Sequence, residues 1–162
     1  NTDGKYKVSN SQFGPHHGTQ AVILYGKGAY EVSGAECPTS GSSAHFKNGA
    51  CVACHIGKAD GETGAHTFNA SLANCKTCHP TATNFDFNGI QTEVGSLLTE
   101  LESKMKSKNI LKADSTIYPA NMPIDYAGAY YNYKLIKEDR SMGVHNPAYT
   151  KAILENSINS LN

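Results

Sequence analysis

Apolar residues recur at helical spacing in the second half of the chain and almost nowhere in the first. Across residues 88–108 they fall at Ile90, Val94, Leu97, Leu98, Leu101 and Met105, the spacing of one helix face. Asp86 or Asn88 is placed to cap the start, and Lys104, Lys106 and Lys108 complement the dipole at the end. Pro119 and Pro123 then break the pattern. A second helix is predicted over residues 124–139, with Tyr126, Tyr130, Tyr133 and Ile136 on one side. A third starts with Asn146 as cap and Pro147 at the first helical position, and continues through Tyr149, Ile153, Leu154 and Ile158. In the first half only residues 19–25 read as a helix, a short one ended by Gly26 and Gly28, while residues 33–44 are small and turn-forming. No segment alternates well enough for a long strand. The predicted fold is mostly α with extensive irregular coil and long C-terminal helices.

With 162 residues the chain is expected to form a single domain, 1–162. Within it, 1–47 is loop-rich, 48–80 holds an internal repeat and 86–162 is helical. Hydrophobic residues make up only 39% and Trp is absent, a thin supply for a core of this length. The expectation is that the chain carries long loops, or builds its interior around something other than side chains. Lys+Arg and Asp+Glu balance at 14 each, so nothing in the charge calls for nucleic acid or an anionic membrane surface. The longest apolar run, residues 21–25, is far short of the roughly 20 residues that span a bilayer. The chain begins with Asn, without a basic start and apolar stretch, and so reads as a processed or trimmed product. A secreted protein after signal cleavage and a piece of a longer protein look alike here.

Five Cys and seven His stand out against that background. Cys51-Val52-Ala53-Cys54-His55 and Cys75-Lys76-Thr77-Cys78-His79 are two copies of C-x-x-C-H. In this motif the thiols add to the two vinyl groups of haem and the adjacent His ligates the iron. Two intervening residues on a helical turn set both sulfurs along one porphyrin edge, with the His beneath the metal. A four-cysteine zinc site also pairs C-x-x-C units, and the 20 residues between Cys54 and Cys75 suit it. A His at the same place in both copies separates the two readings and favours haem. A thioredoxin-like redox pair needs a βαβ context that the sequence lacks. The cofactor expected is two covalently attached haem c groups, held through Cys51, Cys54, Cys75 and Cys78, with His55 and His79 as proximal ligands.

Each haem needs a second axial ligand, and His16, His17, His45, His66 and His145 remain. Met105 belongs to an apolar helix face and Met142 to packing, while Met122, in Asn-Met-Pro, is a weak match to the ligand loop of single-haem cytochromes c. With His in excess, bis-histidine ligation is the default, and it implies a lower potential than His/Met. Cys37 is left over and reads as an inert thiol. The tyrosines at 126, 130, 131 and 133 read as helix-packing residues, and Asp60 and Glu62 as a solvated turn rather than a calcium site.

The segment Ala44-His45-Phe46-Lys47-Asn48-Gly49-Ala50 before CVACH, the Ala65-His66-Thr67-Phe68 segment and the CKTCHP that follows carry a resemblance. They look like the last two haem motifs of pentahaem cytochrome c nitrite reductases, and like related octahaem and doubled-CXXCH cytochromes. Gly143-Val144-His145-Asn146-Pro147, ending in Tyr149, and Pro15-His16-His17-Gly18 are similar to other parts of that superfamily. The resemblance covers about two thirds of the chain, motif by motif. It implies a crossed arrangement in which His45 pairs with His79 and His145 with His55. The family's His between the two motifs, matched by His66, serves a haem of an earlier motif that this chain lacks. Three accounts stay open for His66 and for His16 or His17. They are ordinary hydrogen-bonding or surface histidines, or they replace the favoured ligands, or they ligate haem supplied by another chain or by a further part of a longer protein.

The function expected is electron transfer, by a protein that is not an enzyme. The catalytic C-x-x-C-K motif of the nitrite reductases is absent. The rivals are a haem enzyme or sensor with one labile distal ligand, a fragment of a larger multihaem oxidoreductase, and a subunit of an extracellular conducting filament. Haem attachment implies a periplasmic or extracellular location. The partners expected are other redox proteins or an extracellular acceptor, with self-assembly through shared haem ligation as a further option.

Overall fold

The computed structural model describes residues 3–162. Its elements in chain order are strand β1 (Lys5–Val8) and helices α1 (Gln20–Tyr25), α2 (Ala44–Lys47), α3 (Ala50–His55) and α4 (Leu72–Cys75), followed by α5 (Ile90–Ser107), strand β2 (Ala120–Pro123), α6 (Ile124–Asp139) and α7 (Pro147–Asn159). Short 3-10 turns lie at Ala65–Thr67 and Phe87–Gly89. The fold is therefore mostly helical with minor β content, and its long helices are C-terminal. Among the described residues no helix is long and apolar enough to cross a membrane.

The long helices begin and end where local chemistry requires. The Asp86 carboxylate accepts from the Gln91 N–H at 2.7 Å and the Thr92 N–H at 3.2 Å, so Asp86 supplies the cap ahead of α5. Asn88 instead takes a left-handed bend, φ 57°, and the helix starts at Ile90, the first apolar position of the 88–108 pattern. The Asn146 side chain accepts from the Tyr149 N–H and Pro147 opens α7, as the sequence pattern predicts. Strands β1 and β2 pair antiparallel, Tyr6 opposite Met122 and Val8 opposite Ala120. Four residues each are too few for an alternating pattern to register. Met122 is buried in this ribbon and packs with the core, away from any ligand role.

Helices α5, α6 and α7 pack together around Leu101, Met105, Ile136, Ile153 and Leu154, all at most 2% exposed. Burial of such side chains contributes about 1.5–3 kcal/mol each. The expectation of an interior built around something other than side chains needs correction. The apolar residues are concentrated in these three helices and make an ordinary side-chain core, to which residues 44–80 contribute no buried apolar side chain.

Helix α6 differs from its one-sided pattern as well. It is buried nearly all round, because α1, the β1–β2 ribbon and the segment around Tyr30 pack against it as well as α5 and α7. Buried Asn132 accepts from the Tyr30 N–H at 2.8 Å and donates to the Tyr30 carbonyl at 2.9 Å, as a strand neighbour would. Asn156 of α7 does the same at Ala35, at 2.9 and 2.8 Å. Gly128 makes room for Tyr30, whose ring lies 2.0 Å from where a Cβ would sit. A loop with little apolar content is thereby ordered through backbone-directed amides rather than through burial.

Candidate functional site

The first C-x-x-C-H lies entirely on α3. The second begins in α4 and closes as a turn, with the His79 N–H donating to the Cys75 carbonyl at 2.8 Å. The spacer between them folds back on itself. The Cys54 carbonyl accepts from the Asn74 side chain at 3.2 Å and the Ser71 N–H at 3.4 Å, and the Ser71 hydroxyl caps α4. No disulfide joins any of the five cysteines. Burial pushes the Cys54 thiol up, and the thiols of Cys75, Cys78 and Cys51 add to it. Burial raises Cys75 as well. Among the described residues no three His, Cys, Asp or Glu gather as one metal cluster.

The histidines gather in pairs instead. His45, on α2, lies beside His79 with ring centroids 6.1 Å apart. His55, at the end of α3, lies beside His145, from the turn between α6 and α7, at 6.3 Å. A metal held by two imidazole nitrogens at about 2.0–2.1 Å each, with about 1.1 Å from nitrogen to ring centre, places the two centroids about 6 Å apart. The two pairs are those named by the crossed arrangement. His16, His17 and His66 are exposed and belong to neither pair. The His16 Nε2 is engaged by the Gln12 carbonyl at 2.6 Å, and the His17 Nδ1 by the Glu138 carboxylate at 3.1 Å.

Three of the four paired rings have their Nδ1 engaged. His45 donates to the Val144 carbonyl at 2.6 Å, His55 to the Phe68 carbonyl at 2.9 Å, and His145 to the Asp139 carboxylate at 2.6 Å. An Nδ1–H fixed in this way leaves Nε2 as the nitrogen with a free lone pair, the tautomer and orientation a metal ligand requires. Phe68 contributes twice, since its ring also stacks on His55 at 5.0 Å and 19°. It does so from a left-handed backbone, φ 61°, a conformation that costs an aromatic residue about 1 kcal/mol or more. His79 packs against Phe87 at 4.5 Å.

Apolar side chains around these pairs are uncovered. Val52 and Phe68 are each 60% exposed, and Ile56, Phe85 and Phe46 are exposed too. Val52, Ile56 and Phe68 lie on the segment that bears both motifs and Phe46 and Phe85 flank it in sequence, and such exposed apolar side chains suit the faces and edge of a flat apolar ligand. The donor set, the ring spacing and this apolar lining all fit haem. Asp60 and Glu62 sit in an exposed turn, where Asp60 bridges to Thr63. Cys37 is half-buried against the helical core, and burial raises its thiol, with Glu31 adding a smaller push.

Some of these groups have no motif to announce them. The Val144 and Phe68 carbonyls are backbone atoms, and Asp139 is the second of two adjacent acids, Glu138 and Asp139, that close α6. Its one signal is position, since an acidic residue in the last turn of a helix opposes the dipole. Comparison of the chain with protein-family models, with curated protein sequences and with solved structures returns no match. The arrangement of the chain's own residues therefore carries the functional argument.

Proposed function

We propose that the chain is a dihaem c-type cytochrome that transfers electrons and has no catalytic site of its own. The observation that supports this best is the pair of histidine couples, each at iron-spanning distance and each including a His from a C-x-x-C-H motif. Cys51 and Cys54 would hold one haem and Cys75 and Cys78 the other. His55 with His145, and His79 with His45, would be the axial ligands. A bound haem c would supply a one-electron iron couple, of comparatively low potential with two His ligands.

The chain's part is to hold and tune. The Nδ1 bonds fix the rings, the Cys54 carbonyl contacts keep the two motifs in one rigid unit, and Phe68 and Phe87 shield proximal rings from water. Two His ligands at each iron leave no position for a substrate, which is what distinguishes an electron carrier from a reductase or sensor. His16, His17 and His66 lie outside both couples. The partners proposed are one-electron redox proteins or an acceptor outside the cytoplasm, where haem attachment takes place.

The test is to produce the chain with a c-type haem maturation system and measure its intact mass and haem content. The expected result is two haems per chain that survive denaturation. The double substitution Cys51→Ala/Cys54→Ala should leave one. A chain matured alongside a positive control that carries no covalent haem refutes the proposal.

A further inference from the structure

The four paired histidines are supported unequally. His45 and His55 each donate to a neutral backbone carbonyl, whereas His145 donates to a carboxylate. The Asp139 side chain is only 1% exposed, against 20% for His145. A buried carboxylate carries a large desolvation cost unless it is paired. Asp139 also sits in the last turn of α6, where the helix dipole opposes a negative charge. Its partners are the Ser141 hydroxyl, in a short hydrogen bond, and the His145 ring. The fold reinforces the contact. Gln20 of α1 donates to the Glu138 and Asp139 carbonyls at 3.1 and 3.3 Å, and the His145 N–H donates to the Ser141 hydroxyl at 3.2 Å. A carbonyl at this position would orient the ring equally well, so the carboxylate contributes something besides orientation.

That contribution is charge. A carboxylate accepting from Nδ1–H makes the opposite nitrogen a stronger donor, and a stronger donor favours the more highly charged, oxidised metal. Resting on the dihaem reading above, we infer that Asp139 is a positioning and tuning residue that makes the His55/His145 site the lower in potential of the two. The His45/His79 site, with one backbone carbonyl among its ring contacts, is the higher. The pair is thus graded rather than equivalent, and the grading is built into the turn after α6.

The experiment is a potentiometric titration of the haem-loaded full chain, following the α-band. The wild type should reduce in two one-electron steps. Asp139→Asn keeps an oxygen acceptor for His145 and removes the charge. It should shift the iron equilibrium of the lower step at least tenfold toward the reduced form, about 59 mV for one electron, and leave the upper step in place. If both haems are bound but neither step moves, or both move equally, the inference is overturned while the dihaem reading stands. If no haem is bound in the wild type, it is the dihaem reading that has failed. Should Asp139→Asn not load haem, Ser141→Ala decides. Removing the hydroxyl that shares the Asp139 charge should lower the potential of the same step, and an unmoved or raised step overturns the inference.

Discussion

Removal of His45 gives a quantitative test of the paired ligation. In the wild type both irons would be closed by two imidazoles, and the reduced protein should not change its spectrum under carbon monoxide. The two couples are separate, so deleting His45 opens the His79 side alone. His45→Ala should therefore bind one carbon monoxide per chain, a response from half of the haem, while intact mass still shows two. The structure also identifies His45 as the better residue to remove. Its ring makes one hydrogen bond, to the Val144 carbonyl, whose loss costs about 0.5–1.5 kcal/mol of a typical 5–15 kcal/mol stability. Removing His145 instead leaves the buried Asp139 carboxylate with the Ser141 hydroxyl but without its ring donor, and losing a hydrogen bond to a charged group costs about 1.5–3 kcal/mol. Millimolar imidazole should close the opened iron and restore the wild-type spectrum. Stoichiometric carbon monoxide binding by the wild type refutes the reasoning. So does a His45→Ala protein that binds none or binds two.

The remaining expectations concern the framework around the site. Asn156→Ala removes both bonds to Ala35 and should cost about 2 kcal/mol in a urea melt, with faster proteolysis confined to residues 26–40. The Glu102 carboxyl is pulled down from 4.5 to about 2, first by its bond from Lys106 and then by those from Ser115 and Tyr133. A depressed acid stabilises the fold above its unfolded pKa and loses that contribution as pH falls through the folded one. Glu102→Gln should therefore be about 2 kcal/mol less stable than wild type at pH 6, with the gap closing between pH 4.5 and pH 2. Cys37 should be the only thiol of the haem-loaded chain to react with a disulfide reagent after unfolding, and in the folded chain it should react slowly at pH 8, because burial raises it. More than one thiol on unfolding would mean that a motif cysteine is not linked.

The sequence was most informative where a rule of the local backbone operates. Helix α6 spans the residues its pattern predicts because Pro123 precedes it and a left-handed Arg140 follows. Helix α7 begins where the Asn-Pro pair places it. The motifs were legible for the same reason, since C-x-x-C-H is a local arrangement on one turn of helix. What escaped was non-local. The amides of Asn132 and Asn156 look like ordinary polar positions in a helix, and only the loop that crosses them makes them clamps. The apolar supply is adequate for three helices and thin only when averaged over residues 44–80, which bury none of it. Averaging over the whole length hid a division between a packed part and an unpacked one.

That division bears on how the site keeps its shape. Residues 44–80 have no side-chain core, so the geometry of the paired histidines has to be imposed from the helical part, and the turn after α6 is where this happens. Within residues 139–145 it supplies the carboxylate on His145 and His145 itself to one couple, and to the other the Val144 carbonyl that holds His45. The backbone there is tightly specified. Arg140, Met142 and Gly143 all adopt positive φ, and a Cβ at Gly143 would meet Val94 of α5 at 2.7 Å. Val94 is fully buried, so the turn is pressed directly onto the α5 face of the core. The rigidity of the helices is thereby passed to one ring of each couple, His145 and His45, through seven residues of backbone. A carbonyl and a carboxylate placed by one turn keep a fixed relation to each other. A graded pair of sites needs that relation, and two independent loops would not secure it.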